Sequence, residues 1–422
     1  MVQGNDPSSD VAVKIALVSQ PFDRVTLSNP NSIAVISLNL ARELASIGHD
    51  VVLVAPNLNG LDGALRLHAF TIAYVPLKRD PLSDLTPDGP SAGSRDGVPA
   101  FMSDDFAGDY FRGVASIVKA FRPHMVQVYN FVNLGEILRD AGCATIVGVH
   151  MQCQWLTGLP AAFVRRKVAA LDRVTFASKY LLDEFVRAFP ELQPKTATIH
   201  NGVDVSLFRP DETRVVTSDG ITRVLFVGRV SPEKGVHCLL QAWGRLGAES
   251  HRMSLRIVGP FGVQPPAFFI GEWSPQEPPV DIALFNDNVY SRYLDDLRRT
   301  SGSNIEVIGN IPHRRLPRVY QQSDVFVFPS VWPEPFGLPL VEASATGLGI
   351  AALGGGSVSE IISDGHSGIV VEGNDDQALC EAIRQLADDG ELRKKFGLEA
   401  RARMESAFTW RHVARDMIDK LG

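Results

Sequence analysis

Glu334 and Glu342 stand with seven residues between them in the run PSVWPEPFGLPLVEASATGLGIAALGGGSVSEII, residues 329–362. A carboxylate accepts paired hydrogen bonds from neighbouring hydroxyls, so two of them spaced along one ligand suit polyol recognition. The run follows an apolar strand-like stretch, 325–329, and opens a helix near Leu338. Glu334 then precedes that helix and Glu342 lies one turn inside it. At about 1.5 Å of rise per residue the two reach different ends of an elongated ligand, such as a sugar and a ribose. The turn of Phe336, Gly337 and Leu338 adds backbone N–H groups at a helix N-terminus, where a diphosphate finds both donors and a favourable dipole. Singly, each glutamate has a plainer reading: Glu334 favouring the helix dipole, Glu342 sitting on the surface.

The run VLFVGRVSPEKGVHCLLQAW, residues 224–243, supplies the complementary charge. A strand ends at Gly228, Arg229 and Lys234 follow in a turn, and a helix begins near Gly235. Two cations beside a helix N-terminus stabilise the charge that grows on a departing diphosphate. A lone Arg and Lys in a loop are usually solvent-facing; here the helix start favours the phosphate role. His150 ends the apolar run 145–150, and open α/β sheets bind ligands at the carboxyl ends of their strands. A strand-end His taken alone is more often structural.

The elements that must carry these residues alternate. Short β-branched runs at 13–19, 50–55, 125–129, 145–149 and 173–177, then at 223–228, 255–259, 305–308, 325–329 and 349–352, are separated by helical patterns, the signature of βαβ units on parallel sheets. Each run is continuously apolar, as a strand buried on both faces should be. Ile33, Ile36, Leu40, Leu44 and Ile47 recur at helical spacing before Gly48 and predict a helix over 32–47. The text between Asp62 and Phe106 is rich in Pro, Gly, Asp and Ser and reads as an irregular excursion.

A chain of 422 residues exceeds one ordinary hydrophobic core, so two domains are expected. The fold class is α/β, with residues 12–205 as an N-terminal domain and 206–404 as a C-terminal one, the second α/β pattern beginning near residue 212 with its first strand at 223–228. HNGVDVSLFRP, 200–210, is the connection, residues 1–11 are a disordered tail, and 405–422 are a last helix. A net charge of -7, with acidic and basic side chains spread over both halves, argues against nucleic acid as a partner. Arg165, Arg166 and Lys167 could touch anionic lipid, but a solvated helix face is the better reading, and membrane association is disfavoured. Cys143, Cys153, Cys238 and Cys380 show no Cys-x-x-Cys or zinc-ligand spacing, the N-terminus lacks a signal-peptide pattern, and no apolar run has the length of a membrane span. A cytoplasmic protein is the expectation. Nothing in the sequence specifies an oligomeric state.

EPFGLPLVEA with Glu334 and Glu342, GRVSPEKG with Gly228, Arg229 and Lys234, HNGVD at 200–204 and the closing GGGSVSEII together resemble the family 4 retaining glycosyltransferases of the GT-B fold. The similarity runs through most of the C-terminal half and more thinly through the first. It implies two Rossmann-like domains facing across a cleft, with the donor mainly on the C-terminal one, the acceptor mainly on the N-terminal one, and the last helix crossing back near Phe408, Thr409 and Trp410. It implies a nucleotide-sugar donor, UDP being the commonest family choice, with Glu334 on sugar hydroxyls, Glu342 on the ribose, Arg229 and Lys234 on the diphosphate, and backbone around Ile311 on the base. Main-chain N–H groups of Phe336, Gly337 and Leu338 would meet sugar and phosphate, and His150 would lie near the reacting sugar. It favours front-face substitution, the departing phosphate taking the acceptor proton, and implies no cofactor and no essential divalent metal.

Two departures stand out. Where the family commonly has Gly-Gly before its first helix, this chain has Asn31-Ser32; either these side chains hydrogen-bond the acceptor or a phosphate, or Ser32 caps the helix. The Pro- and aromatic-rich stretch 261–285 is longer than a strand-to-helix connection needs and reads as a lid or an association surface. The acceptor, a sugar or other small hydroxyl compound, is expected near Asn31, Ser32, Asn130, Gln152, Gln154 and Trp155, the indole offering a face and the amides hydrogen bonds; a plain surface loop with one packed Trp is nearly as good a reading. A nucleotide-sugar epimerase of the same shape and a non-catalytic sugar-nucleotide-binding protein are the alternatives.

Overall fold

The computed structural model describes residues 12–27, 31–58, 60, 63–67, 69–78, 80–81, 94–104, 106–211, 220–264, 266–269, 280–302 and 304–421. The tail expected at 1–11, the restart expected near 212 and much of the stretch 261–285 lie outside these residues.

The N-terminal part runs β1 (Lys14–Val18), α1 (Ser32–Ser46), β2 (Asp50–Asn57), β3 (Ala64–Arg66), β4 (Thr71–Pro76), β5 (Ser94–Arg95), β6 (Val98–Pro99), α2 (Gly108–Phe121), β7 (Met125–Tyr129), α3 (Asn133–Asp140), β8 (Ile146–Met151), α4 (Ala161–Ala169), β9 (Arg173–Phe176), α5 (Lys179–Ala188) and β10 (Thr196–Thr198). Its eight-stranded sheet has the order β10-β9-β8-β7-β1-β2-β4-β3, parallel except for the β3 edge. The central strands are apolar on both faces because helices cover both: Ile15, Ala16, Leu17 and Val18 of β1 are wholly buried.

The C-terminal part runs β11 (Thr222–Val227), α6 (Val236–Arg245), β12 (Met253–Val258), α7 (Asp287–Thr300), β13 (Ile305–Gly309), α8 (Leu316–Gln321), β14 (Val325–Phe328), α9 (Leu338–Thr346), β15 (Gly349–Gly354), α10 (Val358–Ile361), β16 (Ile369–Glu372), α11 (Asp376–Asp388), α12 (Gly390–Ala407) and α13 (Trp410–Leu421). Its six strands, all parallel, lie in the order β13-β12-β11-β14-β15-β16. In each sheet the order reverses beside the first strand, between β1 and β7 and between β11 and β14. Such switch points open a crevice at the strand carboxyl ends. The last helix returns to the first sheet: Trp410, Val413, Ala414 and Met417 of α13 share a core with Ala34, Leu38 and Ala41 of α1.

The described part of the excursion expected between Asp62 and Phe106 is more regular than its composition implies. β3 and β4 extend the sheet beyond β2, with Ile72, Tyr74 and Val75 buried and their neighbours not, and β5 and β6 form a small hairpin. Turn-rich text on both sides hides so short an alternating strand.

Candidate active site at the domain interface

The loop after β11 and the loop after β14 meet across the C-terminal switch point. Gly235 closes the first with a φ of +68°, and a Cβ there would lie 1.7 Å from the Pro329 carbonyl oxygen, so only glycine lets the loops pack this closely. Lys234 Nζ thereby reaches both oxygens of Glu334, at 3.0 and 2.8 Å, and stands 4.5 Å over the Trp332 ring. Ser330 Oγ and Trp332 Nε1 donate to Glu334 Oε2 at 2.9 and 2.8 Å. Burial pushes the Glu334 carboxyl up, but Lys234, with Trp332 and Ser330, outweighs it and holds the group below its ordinary pKa. The backbone of Glu334 is clamped from the other side, its carbonyl accepting from Ser357 N at 2.9 Å, while Ser357 Oγ donates to the Phe336 carbonyl at 3.0 Å.

Arg229 lies on the same loop. Its Nε is buried without a hydrogen-bond partner and stands 3.7 Å from Oε1 of Glu233, a fully buried carboxylate whose Oε2 also lacks one. Ser231 Oγ donates to Glu233 Oε1 at 2.6 Å, and the Glu233 carbonyl accepts from Val331 N at 3.1 Å. Sequence reasoning passed over Glu233, although its place directly before Lys234 is the signal that the turn carries its own counter-charge.

Glu342 forms a second centre on α9. It is 5% exposed, so the surface reading is wrong. His313 Nε2 lies 2.6 Å from its Oε1 and Tyr320 OH donates to its Oε2 at 2.9 Å. Burial lowers the His313 pKa, but the adjacent Glu342 charge and hydrogen bond outweigh it and raise it overall. Neither partner was anticipated; His313 follows Ile311, itself partly buried between β13 and α8, by two positions. Glu342, His313, Arg314 and Leu338 line a cavity of about 160 Å³ whose far wall is Asn39 and Arg42 of α1 and the connection at Gly202 and Val203. That connection is tied across the domains by Glu360, which accepts from Lys179 N and Tyr180 N at 2.8 and 2.7 Å and lies 2.9 Å from His200 Nε2.

On the N-terminal side the strand ends carry a buried polar chain. Asn130, at φ +60°, donates from Nδ2 to Gln20 at 2.9 Å and accepts from Gln152 N at 2.6 Å, and Gln152 and Asn201 exchange amide bonds at 2.8 and 2.7 Å. His150 is 3% exposed with Nδ1 2.9 Å from Thr175 Oγ1. Burial drives its pKa down to about 3, against the Asn201 side chain, with the nearby His200 acting in the same sense as burial, so the ring is neutral at pH 7. Gln20 leads on to Asp23, which accepts from Gln20 N, Gln20 Nε2 and Asn31 Nδ2 at 2.8, 2.9 and 2.9 Å. Burial raises the Asp23 pKa to about 6 despite those donors.

Three expectations need correction. The residue that caps α1 is Asn31, whose Oδ1 accepts from Ala34 N at 3.2 Å; Ser32 is the first helical residue and is exposed. Trp155 offers no open face: it is 5% exposed, its ring lies against Phe101, Phe131 and Phe268, and its Nε1 donates to the Phe268 carbonyl at 2.8 Å. Lys167 is not on a solvated face either, being 1% exposed between Asp104 and Glu136, while Arg165 pairs with Glu191 and Arg166 with Asp104. Among the described residues no three His, Cys, Asp or Glu side chains gather as metal ligands, and no helix is long and apolar enough to cross a membrane.

Two facing parallel-sheet domains with a last helix that crosses back define a GT-B glycosyltransferase architecture. Sucrose-phosphate synthase from Thermosynechococcus elongatus superposes with a TM-score of 0.73 at 18% identity, over 96% of this chain and 98% of that one. Anabaena HepE in complex with UDP-glucose gives 0.67 at 16%, over 97% and 99%. In sequence, spore coat protein SA of Bacillus subtilis is 26% identical over 386 residues, 87% of this chain and 96% of that protein. The family described as Glycosyltransferase Family 4 matches residues 33–207 and that described as Glycosyl transferases group 1 matches residues 211–403. The chain belongs to these glycosyltransferases.

Proposed function

We propose that the chain is a retaining hexosyltransferase that moves a sugar from a nucleoside diphosphate donor, a UDP-sugar by preference, to a hydroxyl of a sugar or other small acceptor. The observation that carries this reading is the Lys234–Glu334 pair at the C-terminal switch point, held by Trp332 and Ser330, with Arg229 on the same loop as Lys234 and beside Glu233. Glu334, anionic at neutral pH, orients donor-sugar hydroxyls, and Glu342 receives the ribose beside the 160 Å³ cavity. Arg229 and Lys234, rather than a divalent ion, meet the charge growing on the leaving diphosphate. His150, neutral and seated at the end of β8, contributes a hydrogen bond to the reacting sugar, and Asn130 and Gln152 border the acceptor. The choice of UDP is supported by the likeness to HepE, which is itself seen with UDP-glucose.

The test is a thermal-shift screen of UDP-, GDP- and ADP-sugars, followed by transfer assays with the donor that stabilises most. A UDP-sugar should raise Tm, and E334Q should abolish the increment specific to the sugar. Stabilisation by GDP- or ADP-sugars alone overturns the choice of base. Release of free epimerised sugar without acceptor replaces the transferase reading with the epimerase one.

A further inference from the structure

The stretch between β12 and α7 is longer than the connection needs, and its described part does something a plain connection does not: it places two consecutive rings on opposite sides of the cleft. Pro266–Phe269 is one 3-10 turn. Successive side chains on such a turn diverge by about 120°, at 3.0 residues per turn. Phe268 accordingly enters the N-terminal domain, where it stacks on Phe22 at 5.9 Å and meets Phe101 edge-on at 5.1 Å and Trp155 at 5.9 Å between ring centroids. Those three rings sit on the loops at the strand carboxyl ends of the first sheet, and the Trp155 indole donates to the Phe268 carbonyl. Phe269 stays with the C-terminal domain. It is 5% exposed and packs edge-on against Trp332 at 5.2 Å and Phe285 at 5.1 Å. Trp332 is the residue whose N–H holds Glu334 and whose ring lies under Lys234.

We propose that Phe268 and Phe269 are a positioning pair that couples the approach of the two domains to the assembly of the donor-sugar site, Phe268 anchoring in the N-terminal ring cluster while Phe269 fixes Trp332 against Glu334 and Lys234. The inference rests on the reading of Glu334 and Lys234 as the donor site. The chain of contacts is continuous from Trp155 through Phe268 and Phe269 to Trp332 and the carboxylate. Aromatic rings suit the task because each buries a large apolar area with few torsions to fix. A domain pair held apart loses the Phe268 contacts at once, and the shift is passed along two adjacent residues to Trp332. Neither ring touches substrate in this scheme; both act through Trp332.

Full-length wild type, F268A, F268L, F269A and F269L are compared by calorimetry with UDP and with UDP-glucose, by turnover of UDP-glucose, and by small-angle scattering. F268A should bind UDP within about twofold of wild type, because the diphosphate loops stay intact, yet lose at least about tenfold in turnover and show a larger radius of gyration. F268L should recover part of both. F269A should weaken UDP-glucose more than UDP, by at least about fivefold, since the sugar-facing carboxylate loses its support. Wild-type turnover and scattering in F268A overturn the proposal, as does an equal loss of UDP binding, turnover and Tm in F268A and F268L, which marks a merely structural role. E334Q keeps the two readings apart: if it leaves UDP-glucose binding unchanged, the donor-site reading fails, while the scattering of F268A still reports whether the ring joins the domains.

Discussion

Lys234 Nζ bridges both carboxylate oxygens of Glu334, although the two residues are 100 positions apart and come from different loops of the C-terminal sheet. The side chains are only 18% and 9% exposed, so this is a largely desolvated ion pair. Removing one member of such a pair leaves an uncompensated buried charge, which costs more than the pair itself contributes. K234A should therefore lower stability by about 2–4 kcal/mol, whereas the uncharged double variant E334Q/K234M should recover at least half of that loss in denaturant titrations. A double variant no more stable than K234A sinks the account.

The same residues should govern turnover. E334Q, K234A and H150A are each expected to lower it at least about tenfold with the fold retained, roughly 1.4 kcal/mol of transition-state stabilisation or more. The E334Q/K234M variant should stay as inactive as the single ones despite its recovered stability. Wild-type turnover in the three single variants removes these residues from the site.

His150 makes stability depend on acid. Its pKa falls from an ordinary 6.5 to about 3 on burial, so between those values the unfolded chain binds a proton that the folded chain refuses. Stability is fully present above pH 6.5 and is lost as the pH falls toward 3. H150Q cannot take up that proton, so the wild-type-minus-H150Q difference in unfolding free energy should shrink steadily from pH 6.5 downward. A difference that stays constant over that window contradicts a buried neutral imidazole.

The parts of the site that were legible from sequence are those where chemistry needs a charge or a glycine at a fixed distance from a strand end. Arg229, Lys234 and Glu334 lie on the loops directly after β11 and β14, whose continuous apolar runs mark them, and Glu342 lies one turn into the helix that follows β14. Their partners were not legible. His313 and Tyr320 reach Glu342 from the 3-10 turn and the helix before β14, and Trp332 looks like an ordinary core aromatic until its indole N–H is seen on Glu334. Trp155 misled for the converse reason: a loop Trp beside two amides suits a sugar, and only the long-range arrival of Phe101, Phe131 and Phe268 covers its ring. Short strands at sheet margins, β3, β4, β10 and β16, were missed because they lack the long apolar run that burial on both faces imposes.

Asp23 should impose the opposite pH slope. Burial raises its carboxyl from 3.8 to about 6, so between these values the folded chain holds a proton the unfolded one has released. Its contribution is most favourable below pH 3.8 and declines as the pH rises through 6. D23N should abolish that decline, so the wild type should lose on the order of 2–3 kcal/mol relative to D23N between pH 4 and 6. Because Asp23 also holds Asn31, the cap of α1, amide exchange in the first turn of that helix should quicken in D23N at pH 7. A flat stability difference across pH 4 to 6 rules out the raised carboxyl.

Gly235 offers the sharpest backbone test. Its φ of +68° lies in the left-handed region, where an L side chain is strained, and a Cβ would also sit 1.7 Å from the Pro329 carbonyl oxygen and 3.0 Å from a Val331 methyl. Strain alone costs about 1 kcal/mol, and the clash with backbone adds to it because no side chain can rotate away. G235A must push the β11–α6 loop off the β14 loop, which moves Lys234 from Glu334. It should therefore lose more than about 2 kcal/mol of stability and, in whatever fraction folds, should impair turnover as severely as K234A. Gly365, also left-handed at φ +68° but with open space where its Cβ would be, is the control: G365A should pay only the strain and keep its turnover. Equal losses in the two variants would show that the close approach of the loops is not what places Lys234.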